Sequence, residues 1–281
     1  MKQKRIITIQ DISCLGRCSI TVALPVLSVA GIETTILPTA MLSTHTGGFT
    51  GFTCTDLESD ILPIVNHWLT LDDVHFDCIY TGYLATKEQI DLIKKVFYLI
   101  KSKHDVSIMV DPAMADNGKM YPAFDDSFAL KMKELCMEAD IIVPNLTEAC
   151  KMLGIEYKAG VTSVEYIENI LNGLYDLGIK KVVLTSVCLE DGKIGTACLE
   201  DGKIEYYFKD QIPGYYHGSG DIYSSSLLGA ILNGKSLIEA VKVATEYTYA
   251  CILRTKNEAT PVRYGVNFEC EIPTLIKLLD K

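Results

Sequence analysis

The sequence predicts an α/β fold around a mostly parallel central sheet, with helices on both faces and one small β-hairpin near residues 192–208. Three observations lead to it. Short β-branched runs alternate with longer stretches at helical spacing, an order that implies βαβ units. The pattern changes between Gly192 and Phe208, where two strand-like runs flank an Asp-Gly turn. A chain of 281 residues, 48% of them hydrophobic, is long enough to bury a substantial core.

Taken in order, Arg5–Ile9, Thr34–Leu37, Cys78–Tyr80, Ser107–Val110, Asp140–Val143 and Lys181–Leu184 read as strands. Lys87–Lys101 and Val164–Leu177 carry helical spacing, and the crossovers should be right-handed. Gly195–Leu199 and Ile204–Phe208 form the hairpin around Asp201-Gly202. Cys188–Ile194 and Cys198–Ile204 both read C-L-E-D-G-K-I, which we read as two Asp-Gly turns built from similar residues. Asp221–Asn233 and Leu237–Arg254 are helical, and a last helix closes around Pro273–Leu279. No low-complexity linker divides the chain, so residues 1–281 are expected to form a single domain.

Composition excludes several partners. A net charge of −10 without a Lys/Arg-rich run argues against nucleic acid and anionic membrane. No stretch reaches the length of a membrane span. Lys2, Lys4 and Arg5 precede only the short apolar run Ile6–Ile9, too short for a signal-peptide core. The ten irregularly spaced cysteines therefore read as reduced thiols of a cytoplasmic protein. Cys14 and Cys18 are the only close pair without a second pair at metal spacing, so zinc is not expected.

Gly229–Ser236 fits the pattern G-x-x-x-x-G-K-S of a phosphate-binding loop. That loop works only between a strand and a helix start, where free amides face the phosphates. Here Leu227, Leu228, Ile231 and Leu232 recur at helical spacing, and Gly234 looks like a helix C-terminal glycine. The motif is rejected. Asn145-Leu146-Thr147 fits a glycosylation sequon, but nothing points to secretion.

The strongest local signal is His217-Gly218-Ser219-Gly220-Asp221 ahead of an apolar helix. Glycines let the backbone approach a ligand, and a helix start offers free amides and a positive dipole end. Asp221 there reads either as a proton acceptor or as a helix cap. If the sheet is doubly wound, strand ends bring further groups together. Asp111 and Pro112 end one strand, with Asp116 beyond. Asn145 and Glu148 follow the next, and Thr185 and Ser186 end a third. Three carboxylates near an anion hole suit Mg²⁺ and polyphosphate. The loop Ser43-Thr44-His45-Thr46-Gly47-Gly48 supplies hydroxyls, an imidazole and hinge glycines to hold or cover a small polar molecule.

These residues, in this order, resemble the pyridoxal kinases of the ribokinase-like superfamily. The matching motifs are Ile9-Gln10, Ser43–Gly47, Gly82-Tyr83, Asp111-Pro112 with Asp116, Asn145 with Glu148, Thr185-Ser186 and Gly218–Asp221. The resemblance covers nearly the whole chain. It implies a three-layer α/β/α fold, a homodimer, and transfer of the γ-phosphate of MgATP to the hydroxymethyl group of a vitamin B6 vitamer. By that resemblance Asp221 is the catalytic base, and Gly218, Ser219 and Gly220 form the anion hole. Asp116 and Glu148 match Mg²⁺ positions. Asp111, Glu148 and Thr185 match positions for a monovalent cation, typically K⁺. Asn145, Thr185 and Ser186, with Asp111 and Ser219, match ATP-contacting positions. Asp11, Leu42, His45, Thr46, Tyr83 and Tyr121 match the substrate pocket. Asp11 stands where a serine is common, Leu42 where an aromatic residue is, and Ser219 where Thr or Ala is. The first two leave the vitamer open, with a cationic amine a candidate partner for Asp11. A hydroxymethylpyrimidine kinase and a non-catalytic vitamer-binding protein are the alternatives.

Overall fold

The computed structural model describes residues 3–281. The chain opens with β1 (Arg5–Ser13), α1 (Ile20–Val29), β2 (Glu33–Leu42), β3 (Cys54–Asp56) and α2 (Glu58–Trp68). It continues through β4 (Cys78–Thr81), α3 (Lys87–Lys101), β5 (Ser107–Val110), the short strands β6 (Ala115–Asp116) and β7 (Lys119–Met120), and α4 (Asp126–Cys136). Then come β8 (Ile141–Ile142), α5 (Leu146–Leu153), α6 (Val164–Tyr175), β9 (Lys181–Val187), β10 (Lys193–Glu200) and β11 (Lys203–Asp210). Helices α7 (Ser219–Leu232), α8 (Leu237–Asn257) and α9 (Ile272–Leu278) follow.

Nine strands form one sheet in the order β11-β10-β9-β8-β5-β4-β1-β2-β3. The six strands from β9 to β2 run parallel. β10, β11 and β3 are antiparallel additions at the borders. β1 lies between β2 and β4, so the winding reverses there. In such sheets ligands collect beyond the strands' carboxyl ends at this reversal.

The burial pattern explains the layers. Ile6, Ile7 and Ile9 of β1 are fully buried, because a parallel strand is covered on both faces. Ile7 and Ile9 face a core shared with α3, α4, α5 and α6. Ile6 faces a second core built with α1, α7, α8 and α9. Three layers result, as expected. In the hairpin Asp201 and Gly202 both take positive φ, 51° and 76°, the turn whose twist matches paired strands. Helix α7 runs through the rejected phosphate-loop motif, and its end is closed by Gly234 N–H to the Ile231 carbonyl at 2.9 Å.

The structure extends several strands past their apolar runs. β1 continues to Ser13 through a register shift between Gln10 and Ile12, and the polar residues at its end are the ones that reach the site. β3 and the β6–β7 ribbon were not foreseen. Each has at most three residues, too short to carry a period. All ten cysteines are free. Among the described residues no helix is long and apolar enough to cross a membrane.

Gly195 in β10 lies against β11 so closely that an added Cβ would run into the Tyr207 carbonyl and the Phe208 backbone. Gly195→Ala should therefore lose about 1–3 kcal/mol of stability, the usual cost of overpacking, read by urea unfolding.

Candidate active site

The site forms where the carboxyl ends of the parallel strands meet the start of α7. Gly218 caps α7 at φ 77°, and an added Cβ there would collide with the Arg17 carbonyl. Only glycine satisfies both constraints. Helix α7 begins at Ser219, two residues before the expected start, so Asp221 sits in its first turn. The Ser219 amide leans to the Tyr216 carbonyl at 3.4 Å, and its hydroxyl donates there at 2.8 Å. The amides of Gly220 and Asp221 have no backbone acceptor in the first helical turn. A Cβ on Gly220 would meet nothing within 4 Å. A glycine that the fold does not need, at an open helix start, leaves room for an anion.

Asp221 is held from the N-terminal side. Its Oδ2 accepts the Ser19 N–H at 2.9 Å, which leaves Oδ1 for another partner. Burial, with the nearby charges of Asp111 and Asp11, pushes its carboxyl up to about 7 despite the Ser19 hydrogen bond. Ser19 itself has φ 54° and ψ −131°, a strained backbone for a non-glycine residue that costs on the order of 1–3 kcal/mol. It stands at the N-cap of α1, yet makes no side-chain cap bond. Its hydroxyl instead donates to Asp11 Oδ1 at 2.5 Å, and Ser13 donates to Asp11 Oδ2 at 2.9 Å.

The strand-end acids lie beyond β5 and β8. Asp111 is buried, and its Oδ2 accepts the Ser224 hydroxyl from α7 at 2.7 Å. Burial raises it to about 6. Asn145 and Glu148 form a capping box at the start of α5. Asn145 accepts Glu148 N–H and donates to the Ala115 carbonyl. Glu148 accepts N–H groups from Asn145 and Met114 at 2.8 and 3.1 Å. Even so, burial and then the charge of Asp111 hold its carboxyl well above the usual range. Asp116 is half-buried, is raised by burial, and accepts both N–H groups of Asn117. Thr185 bridges Asn145 in parallel register, and Ser186 beyond it is exposed at φ 60°.

The other predicted residues surround this end of the sheet. Tyr83 and Tyr121 flank the Phe124 ring at 5.6 and 6.4 Å. Burial, then the charge of Glu148, raises the Tyr121 phenol. Leu42 is buried at the end of β2, and Thr46 is exposed. His45 differs from expectation. Its Nε2 meets the Arg263 carbonyl at 2.7 Å and its Nδ1 accepts Gly47 N–H at 3.1 Å. Both ring nitrogens are taken, so in this structure His45 clamps its loop rather than reads a ligand. The Asn145 side chain is likewise occupied by its cap. Ser19 and Ser224 were not singled out. Ser224 follows Asp221 by three residues, a spacing that shares a helix face. Ser19 carried no comparable signal.

A divalent cation suits this donor set only in part from the protein. Among the described residues no three His, Cys, Asp or Glu side chains gather as a ready ligand cage. Glu148 is spent on backbone amides, while Asp111 keeps Oδ1 and Asp116 keeps lone pairs. Mg²⁺ is commonly held by one or two carboxylates plus substrate phosphates and water, and the site fits that mode.

A helix start with free amides, a carboxylate of raised proton affinity beside it and strand-end acids for a metal define a small-molecule phosphotransferase with an alcohol acceptor. Comparison with known proteins agrees. The profile of the phosphomethylpyrimidine kinase family matches residues 24–264. The pyridoxal kinase of Dictyostelium discoideum is 27% identical over 272 residues, 91% of this chain and 87% of its own. The hydroxymethylpyrimidine/phosphomethylpyrimidine kinase of Aquifex aeolicus is 30% identical over 187 residues, 66% and 70% of the two chains. A candidate phosphomethylpyrimidine kinase from Bacteroides thetaiotaomicron, crystallised with pyridoxal, superposes with a TM-score of 0.89 at 33% identity, over 100% and 96% of the two chains. The chain belongs to the phosphomethylpyrimidine kinase family, which the pyridoxal kinases share.

The raised Asp221 carboxyl has a cost. Between its ordinary value of 3.8 and about 7, the folded protein keeps a proton that the unfolded chain releases. That stabilisation is complete below 3.8 and is lost as pH rises through 7. Asp221→Asn should therefore be more stable than the parent at pH 8, by a few kcal/mol at most. The gap should close toward pH 4 in urea unfolding.

Proposed function

We propose that the protein transfers the γ-phosphoryl group of ATP to the hydroxymethyl group of pyridoxal, pyridoxamine or pyridoxine, giving the 5′-phosphate in vitamin B6 salvage. The observation that carries this reading is Asp221. Its free Oδ1 lies at the open start of α7, and its proton affinity is lifted to the neutral range. General bases work best near the operating pH.

In this reading the vitamer's hydroxymethyl oxygen attacks the γ-phosphorus in line, the bond from that phosphorus to the β–γ bridging oxygen breaks so that ADP leaves, and the hydroxyl proton passes to Asp221 Oδ1. The amides of Gly218, Ser219 and Gly220, together with that of Asp221, receive the transferring group. Asp111 and Asp116, with Glu148 fixing the loop between them, would hold Mg²⁺, which when bound would neutralise charge on the polyphosphate. Asp111, Glu148 and Thr185 are the proposed place for a monovalent cation, K⁺. Asn145, Thr185, Ser186 and Ser219 border the nucleotide. Tyr83 and Tyr121, with Asp11, Leu42 and Thr46, border the vitamer ring. The crystallised relative at 33% identity, which carries pyridoxal, supports a B6 vitamer over hydroxymethylpyrimidine. The family profile and the Aquifex relative favour the pyrimidine as the second reading. We further read residues 1–281 as a single kinase domain. Ten free thiols support a cytoplasmic enzyme. The exposed Ile36 and Met41 of β2 are in keeping with a homodimer.

An ATP-consumption screen over the three vitamers and hydroxymethylpyrimidine tests the substrate. Turnover with a vitamer is expected, and ATP use with the pyrimidine alone would reassign the enzyme. Asp221→Asn should fold and bind ATP, but lose about 10²- to 10⁴-fold in kcat. In the parent, kcat/KM should rise with pH through about 7 as Asp221 loses its proton.

A further inference from the structure

Asp11 is buried near the end of β1. Two hydroxyls turn toward it, and one belongs to Ser19, the residue whose amide holds Asp221. Ser19 could have capped α1, the usual use of a serine at that position. Its side chain is diverted to Asp11 at 2.5 Å instead. A residue kept off its preferred backbone and denied its cap bond stays there only when its surroundings fix it. Asp11 is the strongest of those fixing groups, since a hydroxyl bound to a carboxylate is a charge-assisted bond.

We propose that Asp11 is a positioning residue for the phosphotransfer read above: through Ser19 it sets the amide that aims Asp221 at the acceptor hydroxyl. The relay is Asp11 Oδ1 to Ser19 Oγ, then Ser19 N–H to Asp221 Oδ2. It deepens that phosphotransfer reading and rests on it. A backbone bridge between Ile12 and Ser19 also holds the loop to β1, so loss of the carboxylate frees the rotation of Ser19 without detaching the loop. The groups around Asp11 come from separate elements: His45 in the loop after β2, Cys54 in β3, Cys18 in its own loop and Tyr83 after β4. Of these only His45 can carry a positive charge, and both its ring nitrogens are engaged by the Arg263 carbonyl and the Gly47 amide, so none of them takes over the hold on Ser19. The position is the one at which the sequence departs from the serine common in pyridoxal kinases. A serine there could reach Ser19 only with a neutral hydroxyl, so this chain supports its base with a charge.

Asp11→Asn, Ser19→Ala and the double variant form a cycle in the intact protein. Each single change should lower kcat about 10- to 100-fold, with KM for ATP within about twofold. The double variant should be no worse than the weaker single, because both break one chain of contacts. Hydrogen exchange at the Ser19 amide, followed by NMR, should quicken at least about tenfold in Asp11→Asn. Additive losses would overturn the relay. So would an Asp11→Asn variant with normal kcat and normal Ser19 exchange. If Asp11→Asn does not fold, Ser19→Ala decides alone, and unchanged kcat in it overturns the proposal. If the parent protein phosphorylates none of the four alcohols, the phosphotransfer reading has failed. Ser19 exchange still judges the link between the two acids.

Discussion

The approach of the Gly16–Ser19 loop to the start of α7 is the constraint on which the site depends. The Arg17 carbonyl occupies the place where a side chain on Gly218 would begin, and Gly265 meets the same residue from another side. The loop also delivers the Ser19 amide to Asp221. One contact surface therefore fixes where the helix starts, which amides stay open and which oxygen of Asp221 stays free. A helix start is a common feature. A helix start whose acid is held by one oxygen and left without a partner on the other is what the proposed proton transfer uses.

The site is kept against local stability. Asp221, Asp111, Glu148, Asp116 and Asp11 all have carboxyls raised by burial. Ser19 and Ser186 hold left-handed backbones without being glycine. The two cores on either side of the sheet carry that burden, since most of the parallel strands' apolar side chains are fully enclosed. The acids are bound into helix starts and loop amides. A cation and polyphosphate bound there as proposed would relieve their mutual repulsion and so stabilise the fold.

Much of this was legible in the sequence. Strand–helix alternation gave the layers, and Ser107–Val110 and Lys87–Lys101 have the boundaries their periods suggested. The site groups could be placed on one sheet edge because each follows an apolar run. The reach of β1 to Ser13 was not legible, because its last residues are polar and their pairing depends on a register shift. Nor was the part played by Ser19. Its meaning lies in two contacts, eight and 202 residues away along the chain, and no local pattern reports such distances. His45 shows the reverse case. The loop looked ready to bind a ligand, but tertiary packing brought the Arg263 carbonyl to its ring.

At its outer border the sheet ends in β11, whose row of backbone donors and acceptors faces no further strand among the described residues. Such borders invite another molecule to continue the ladder. Here Lys203 pairs with Glu205 at 2.9 Å, and Lys193 with Asp210 at 2.6 Å, so charge lines the strand from turn to tail. The opposite border is only the three exposed residues of β3. An incoming chain would have to strip water from ion pairs on one side, and would find little to grip on the other. The protein can thus keep a wide, hydrophobic sheet at high concentration without polymerising edge to edge.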